Sequence, residues 1–343
     1  MLPFFWVLLI SSTSYAQDRM CANNLANLWL DVVYVIDNSA PMTDGGLIRA
    51  SAQIISVFGG NTRIGKGYSD PRSTRVGIVT YNRNATIAAD LNRFTSYNDL
   101  VSNIYGVVGS VSQENIAVLE SGLTAAKQVL DAGRANNIRN NYQPVIVIYA
   151  SQFQLDNDVI KVSDILKNSG ITIITIPFGR NVNLTMISSK NDDIEASGYG
   201  SVTEIQNRLL QINCFCPSST YHQFYGTCIQ ANALASAWTA ARLACHASQG
   251  YLANELTQAK HDYLFTLVKN STSFSKPYSY FIGLSSSFNG TWTWEGSQAV
   301  LSAPTFWNGG YPPSDISSTL VVYNYATNDS SIGWQTTIPT TSM

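Results

Sequence analysis

The sequence predicts a doubly wound α/β domain followed by a second domain of different character, and three observations predict it. Between Trp29 and about Ile212, continuous β-branched apolar runs alternate with stretches of helical periodicity, the pattern of a parallel sheet covered on both faces. At Cys214-Phe215-Cys216 the long runs stop and aromatic residues, Gly and Ser become dense. The chain of 343 residues also exceeds what one hydrophobic core usually supports, so two domains are the default.

The chain starts with MLPFFWVLLI, followed by SSTSYA with small residues at Ser14 and Ala16. The apolar run is shorter than the roughly 20 residues a membrane span needs. It is read as a cleavable export leader over residues 1–16, with Gln17 the first mature residue. The alternative, an uncleaved anchor, lacks a charged flank, since no Lys or Arg precedes the run. Later apolar runs have the length of buried strands, so a soluble, secreted, extracellular protein without a membrane span is expected. Five Asn-x-Ser/Thr sequons, at Asn84, Asn183, Asn270, Asn289 and Asn328, would then meet the glycosylation machinery and are expected in solvent-facing loops. Charged residues are 12% of the chain and the formal net charge is −2, which offers no basic patch for nucleic acid.

In the first domain WLDVVYVI, RVGIVTY, PVIVIYA and ITIITIPF are expected as central strands, because continuous apolar runs suit strands buried on both sides. Ile116, Leu119, Leu123, Ala126 and Leu130, spaced by three and four, predict a helix that Gly133 stops. Val159, Val162, Ile165 and Leu166 repeat the pattern before Gly170.

Ligands of such sheets bind beyond the carboxyl ends of the strands. Directly after WLDVVYVI comes Asp37-Asn38-Ser39-Ala40-Pro41. An Asp-x-Ser-x-Ser run at this place, in a strand and helix order of this size, resembles the von Willebrand factor type A (integrin I-like) domain, a Rossmann-type fold, over residues 27–213. The resemblance implies a loop that holds Mg²⁺ through side-chain oxygens and leaves one position for a carboxylate of a protein partner. Asp37 and Ser39 match that loop, but its third position is Pro41, which has no side-chain oxygen. The family's Thr has no clean counterpart in GSVSQENIAVLESGL, although Ser112 and Asn115 are near its place. Its Thr-Asp-Gly triplet becomes Tyr149-Ala150-Ser151. Mg²⁺ demands near-octahedral oxygen coordination. The expectation is a degenerate loop with no metal and no other cofactor, in which Asp37 and Ser39 cap neighbouring amides.

From Cys216 onward, CPSSTYHQFYGTC, SAWTAARLACHA, YLANELTQAKHDYLFTLV, YFIGLSS, GTWTWEGS and FWNGGYPP resemble the C-type lectin-like domain motif by motif and in order. The match implies an α+β fold over residues 214–343 that lacks the last strand and its Cys. Trp238, Ala241 and Cys245 share one helix face, Leu264, Leu267 and Val268 form the stripe of a second helix, and YFIGL and TWTW alternate as core strands. The family's calcium-dependent sugar site needs an acidic or amide residue before Pro and Asn or Asp, then Trp-Asn-Asp. Here those places read Tyr311-Pro312-Pro313 and Trp334-Gln335-Thr336, too few oxygens for a Ca²⁺ that takes six to eight. Asp315 and Asp329 are read as turn residues. Trp307 and Tyr311 flank the loop and are the candidate ligand-binding pair, stacking on a sugar without metal; packing into the core is the competing reading.

The resemblance also bears on the cysteines. Cys216 and Cys228 suit a bridge closing an N-terminal hairpin. Cys21 and Cys214 bracket the first domain, and a bridge there would contribute about 4 to 5 kcal/mol in the chain-entropy model. A zinc cluster of Cys214, Cys216, His222 and Cys228 is the alternative, disfavoured because export favours disulfides. One later family bridge lacks both partners, with Leu320 in place of its first Cys. The family partner of Cys245 does not appear before IPTTSM, so Cys245 is expected to stand outside these bridges, as a thiol or joined to another molecule.

His222, His246 and His261 form no pairing with a nucleophile or a metal motif, and no phosphate loop occurs, so no enzyme is expected. The resemblance implies a recognition or adhesion protein that binds extracellular protein or glycan ligands without metal, with host defence among its settings. A calcium-independent lectin and a structural matrix component are the alternatives.

Overall fold

The computed structural model describes residues 7–11, 24–65, 73–135, 139, 142–179, 182–189, 194, 200–213, 221–224, 227–248, 250–287, 290–314 and 318–340. The chain forms two compact units, Arg19–Ser219 and a unit made of Met1–Asp18 with Thr220–Met343. The first strand, β1 (Val7–Ser11), lies in the segment read as an export leader and belongs to the sheet of the later unit.

The Arg19–Ser219 unit contains β2 (Leu30–Asp37), α1 (Thr43–Val57), β3 (Arg75–Tyr81), β4 (Ala85–Ala89), α2 (Tyr97–Val108), α3 (Leu119–Gly133), β5 (Gln143–Ala150), α4 (Asn157–Asn168), β6 (Thr172–Pro177) and α5 (Gly200–Ile212). Its sheet runs β4-β3-β2-β5-β6, with every pairing parallel except β3 to β4. Alternate residues of β2 serve opposite layers. Val32, Tyr34 and Ile36 pack with Ile54 of α1, Ile104 of α2 and Leu209 of α5, while Val33 and Val35 pack with Leu123 of α3 and Val159 of α4. Both faces are therefore apolar, which is why the strand reads as an unbroken apolar run.

Two readings of the periodicity are corrected. The helix expected from Ile116 starts at Leu119, and Ile116 lies outside it and exposed, whereas Leu119, Leu123, Ala126 and Leu130 are buried. In α4, Ile165 faces solvent and the small Ser163 takes the buried position. A third correction concerns β6, which is an edge strand and not a central one. Its free edge is covered: Ser189 exchanges hydrogen bonds with Ile173, and the Ile194 N–H donates to the Thr175 carbonyl. Covering satisfies the backbone groups an edge exposes, so the strand keeps the composition of an interior one.

The later unit adds β7 (His222–Phe224), β8 (Thr227–Asn232), α6 (Trp238–Ala247), β9 (Gly250–Leu252), α7 (Gln258–Asn270), β10 (Tyr278–Ser286), β11 (Trp292–Trp294), β12 (Val321–Ala326) and β13 (Gly333–Thr337). One antiparallel sheet runs β11-β10-β12-β13 and a second runs β7-β8-β1-β9. Trp238, Ala241 and Cys245 of α6 are buried together with Leu252 and Phe281, and Leu264 and Val268 of α7 pack on Tyr280, Trp294 and Trp334.

A buried charge cluster fixes one end of the first sheet. Asp31 of β2, fully buried, accepts from Arg75 Nε (2.9 Å) and Nη2 (2.8 Å) and from Arg139 Nε (3.0 Å). Arg75 also donates to the Gly133 carbonyl, and the Arg139 guanidinium lies over the Tyr142 ring, so β2, β3, the end of α3 and the approach to β5 meet at one carboxylate. Burial raises the Asp31 pKa, but the charges of Arg139 and Arg75 and the Arg75 hydrogen bond outweigh it and hold the group below its ordinary value. Because the folded pKa lies below the unfolded one, this contribution is present above the unfolded pKa of about 3.9 and is lost as pH falls through the folded value. We predict that Asp31→Asn lowers stability by about 3 to 5 kcal/mol, since two buried guanidinium groups lose their counter-charge. Urea unfolding at pH 7 and at pH 3 is the check, and the variant should show the flatter loss of stability on acidification.

Candidate functional site

At the carboxyl end of β2 the chain enters the loop Asp37-Asn38-Ser39-Ala40-Pro41, and Ala40–Met42 form a single 3-10 turn with Pro41 exposed. Neighbouring backbone holds the loop: the Asn38 N–H donates to Tyr81 O, the Ala40 N–H to Glu114 O, and the Ser112 N–H to Asn38 O. Asp37 and Ser39 are fully buried. The Asp37 Oδ1 accepts from the Ser39 N–H (2.8 Å), and Oδ2 accepts from both the amide (3.0 Å) and the hydroxyl of Ser151, just past β5. Gln152 then donates its side-chain amide to Ser39 Oγ (3.0 Å) and to the Asn115 carbonyl (2.9 Å). A Cβ on Gly179 would fall 1.8 Å from the Ser151 carbonyl oxygen, so that glycine is what lets the Ser151 turn close on Asp37. Burial first, and the nearby Asp37 carboxylate second, hold the Tyr81 phenol far above its ordinary range.

These residues do not fit a Mg²⁺ ion. Asp37 has one oxygen bonded to Ser39 and the other to Ser151, and Ser39 Oγ faces an N–H donor in place of a cation. Ser112 and Asn115 lie beside the loop, as their sequence position suggested, but Ser112 Oγ accepts from its own turn at the Glu114 N–H and Asn115 contributes its carbonyl to Gln152.

The loop expected to mark the second site is built on β12 and β13. Asn308 donates its N–H to Trp334 O (3.0 Å) and its side chain to Gly333 O (3.2 Å), and the Tyr311 N–H donates to Asn308 O (3.0 Å). A side chain on Gly333 would collide with Asn308 Oδ1, at 2.1 Å. Tyr323 donates its phenol to Gln335 Oε1 (2.7 Å), and burial, Tyr311 and Tyr325 together push the Tyr323 pKa up to about 12. Gln335 stands where the family resemblance calls for a cation-binding oxygen, and its oxygen is engaged by that phenol. The donor set does not fit Ca²⁺ either. Trp307 and Tyr311 belong to different aromatic groups. Trp307 meets Trp292 and Trp334 edge to face at 5.1 and 5.2 Å, whereas Tyr311 lies by the half-exposed Tyr323 and Tyr325. The alternation in VVYNYA is the signal that points Tyr323 and Tyr325 to one face. No comparable signal marks Ser151 or Gln152.

Beneath that loop lies a polar network. Glu255, fully buried, accepts from His261 Nδ1 (2.7 Å), Trp334 Nε1 (2.6 Å) and Asn324 Nδ2 (2.7 Å), while His261 Nε2 faces the Ile332 carbonyl (3.3 Å). The imidazole also stacks on Phe306 at 4.1 Å. With an acceptor at each ring nitrogen, both must carry protons for both contacts to be hydrogen bonds, so the geometry favours imidazolium. Burial lowers the His261 pKa, and the Glu255 hydrogen bond and charge overcome that and raise it above its ordinary value.

Asn84, Asn183, Asn270 and Asn328 are exposed, and Asn289 lies outside the described residues. Cys21, Cys214, Cys216 and Asp315 also lie outside them, so the expected bridges at Cys216–Cys228 and Cys21–Cys214 have no described geometry. Cys228 and Cys245 are buried. Asp329 pairs with Lys276 and accepts from the Tyr278 phenol (3.1 Å) at the surface. Among the described residues no group of His, Cys, Asp and Glu is arranged to hold a metal ion, and no helix is long and apolar enough to cross a membrane.

Comparison with known proteins gives two family matches, the von Willebrand factor type A domain over residues 31–208 and the lectin C-type domain over residues 235–337. Both are recognition and adhesion domains and not enzyme families. C-type lectin domain-containing protein 160 of Caenorhabditis elegans is 25% identical over 280 residues, covering 72% of this chain and 41% of the relative. The chain thus spans less than half the length of that curated relative. Among solved structures, proximal thread matrix protein 1 from the mussel byssus is 17% identical, covering 57% of this chain and 49% of that one at a TM-score of 0.42. The manganese-loaded TRAP protein of Plasmodium vivax is 13% identical, covering 57% and 77% at 0.44.

The Glu255 network generates a pH dependence. Since the folded pKa of His261 is raised, its contribution is fully present below the unfolded pKa of about 6.5 and is lost as pH rises through the folded value. The thermal midpoint of the later unit, followed by near-ultraviolet circular dichroism of the buried Trp294 and Trp334, should fall on that alkaline side. His261→Leu should flatten the fall.

Proposed function

The chain belongs to the von Willebrand factor type A domain family and carries a C-type lectin domain after it, and from that premise we propose an extracellular, non-enzymatic recognition or adhesion protein whose two domains bind protein or glycan ligands without metal. The observation that carries the reading is the Gln152 amide donating to Ser39 Oγ while Ser151 holds Asp37. Both oxygens of this buried carboxyl group already have neutral donors, and leaving a buried acceptor unmatched would cost about 1 to 3 kcal/mol. Secretion after removal of residues 1–16, bridges at Cys216–Cys228 and Cys21–Cys214, glycans on the sequons and a role in host defence belong to the same proposal.

A second reading, a calcium-independent lectin, is favoured by the half-exposed Tyr311, Tyr323 and Tyr325, which offer neutral aromatic surface beside the Gln335 amide. Aromatic faces stack on sugar rings and need no cation.

Calorimetry of the purified protein with Mg²⁺, Mn²⁺ and Ca²⁺ should be silent, and adhesion to cells or matrix should persist in EDTA. A micromolar cation site or release by EDTA would overturn the metal-free reading. On a glycan array run in chelator, retention by the wild type and its loss in Tyr323→Ala would select the lectin reading, and an array without signal would exclude it. Glycosidase treatment followed by peptide mass spectrometry should show occupancy at Asn84, Asn183, Asn270 and Asn328, which are the sequons exposed among the described residues, and at Asn289.

A further inference from the structure

The turn that joins β3 to β4 places the sequon Asn84-Ala85-Thr86 beside an open groove. The backbone of Asn84 is fixed: its N–H donates to Asn82 Oδ1 (3.2 Å) and its carbonyl accepts from the Asn82 N–H (3.1 Å). The Asn82 carbonyl accepts from the Val118 N–H (2.7 Å), which ties the turn to the start of α3. Between this turn, β4 and α3 lies a groove of about 370 Å³, within the size range of small-molecule sites. Ala85 and Ala125 are the small residues of its lining, and Asn84, Glu120, Thr124 and Gln128 are the polar ones. Among the described residues, the side chains of those four make no hydrogen bond within the protein. Glu120 accepts, and Thr124 and Gln128 both donate and accept. Ile87, two residues along β4 and therefore on the Ala85 face, is exposed and adds apolar surface. The same strand is an open edge, pairing among the described strands with β3 alone. A bulge twists its far half, but Ala85–Ile87 stay in regular register with β3 and carry neither charge nor Pro, two of the usual means of blunting an edge.

We infer that the groove between β4 and α3 is the seat of the first sugars of a glycan carried by Asn84, and that the seated glycan covers the open edge of β4. The inference rests on the export reading, because only an exported chain meets the glycosylation machinery. An N-acetylglucosamine, the sugar through which such glycans join asparagine, presents hydroxyls, an amide N–H, an amide C=O and a methyl group. The polar lining can pair with the first three, and Ile87 offers contact to the methyl. The occupant is set by the tether, since Asn84 itself lines the groove. A sugar held on so short a link has an effective concentration on the order of millimolar, so an open site with little affinity of its own is still filled. Because Asn84 directly precedes β4, the sugars above it stand over Ala85–Ile87, the half of the edge that the bulge leaves regular.

The test uses the full chain secreted from cells that make only high-mannose glycans, with occupancy of Asn84 established by peptide mass spectrometry. Hydrogen exchange at the amides of Ile87, Ala88 and residues 120–128 is then read in three forms. These are the intact glycoprotein, the protein trimmed by endoglycosidase to one N-acetylglucosamine per site, and Thr86→Val, which removes the Asn84 glycan and keeps the groove. We expect the first two to be protected alike and Thr86→Val to lose that protection. Enzymatic removal of whole glycans from the folded wild type gives the same comparison without a substitution in β4. The Thr124→Val/Gln128→Ala double variant, still occupied at Asn84, should lose the protection too. Equal exchange with and without the glycan, or full protection in the occupied double variant, overturns the seat. Protection of Thr86→Val by added N,N′-diacetylchitobiose, with none from the attached glycan, makes the groove a site for free saccharide and overturns the tethered occupant. A dimer of the intact glycoprotein that protects β4 makes a second copy the cover of the edge and overturns the glycan's part. An Asn84 without sugar on the secreted protein defeats the glycosylation reading and the inference with it, a failure distinct from an occupied Asn84 whose sugars leave the groove unprotected.

Discussion

A carboxylate withdrawn from water must find donors inside the protein or lose its charge, and the fold is organised where that requirement is met. Asp31, Asp37 and Glu255 are all fully buried. Each is served in a different way: Asp31 by two guanidinium groups, Asp37 by backbone and hydroxyl donors, Glu255 by an imidazole, an indole and a carboxamide. The partners come from distant elements, so satisfying one acid fixes several segments at once. Asp31 joins β2 to β3 and to the segment before β5, and Glu255 joins the start of α7 to β12 and β13. Breaking such a cluster costs more than forming it gained, because the remaining members keep their desolvation penalty.

The same rule bears on a domain of a cation-binding family whose loop residues do not fit a cation. A loop with two or more carboxylates close together requires positive charge between them. Ala150 stands where the family pattern has an acid, and the one carboxyl group left, Asp37, has neutral donors on both oxygens. Gln152 completes the change by presenting N–H groups where oxygen lone pairs would otherwise face one another. In the lectin unit Gln335 has the complementary part, as an acceptor for the Tyr323 phenol. Both positions are now held by short-range hydrogen bonds that require close geometry, and this is why Gly179 and Gly333, which admit the close approach of Ser151 and Asn308, belong to the sites although they carry no chemistry.

Much of this architecture was legible in the sequence. β2, β3 and β5 announce themselves because both of their faces are covered, and the helices α3 and α4 because their apolar residues recur at helical spacing. The departures have specific causes. β6 looks like an interior strand because Ser189 and Ile194 cover its edge, a contact between segments with no sequence signature. Ile116 keeps the helical spacing but precedes the first helical residue, so periodicity alone extends the helix by a turn too many. β4, with Ala85, Ala88 and Ala89 among its five residues, has too little apolar contrast to stand out. For the candidate sites the sequence shows which oxygens are missing, since that is a matter of residue identity. It does not show what replaces them: Ser151 lies 114 residues from Asp37, and Trp334 lies 79 from Glu255, and polar residues that meet across such distances follow no period.

Replacing a cation with an amide also changes what such a surface can select. A bound Mg²⁺ attracts a partner's carboxylate over several ångströms and then binds it directly, so recognition by charge precedes recognition by shape. The residues around Asp37 and Gln152 do not fit such an ion, and without one an acidic partner gains nothing from approaching. On the lectin side Tyr311, Tyr323 and Tyr325 are neutral and polarisable. Contacts of this kind act at van der Waals range and are insensitive to salt, and their strength follows the fit of two surfaces. On the lectin reading, selectivity would rest on how rigidly those surfaces are held. The Glu255 network, lying directly under β12 and β13 and bonded to both, is the part of the molecule that supplies that rigidity.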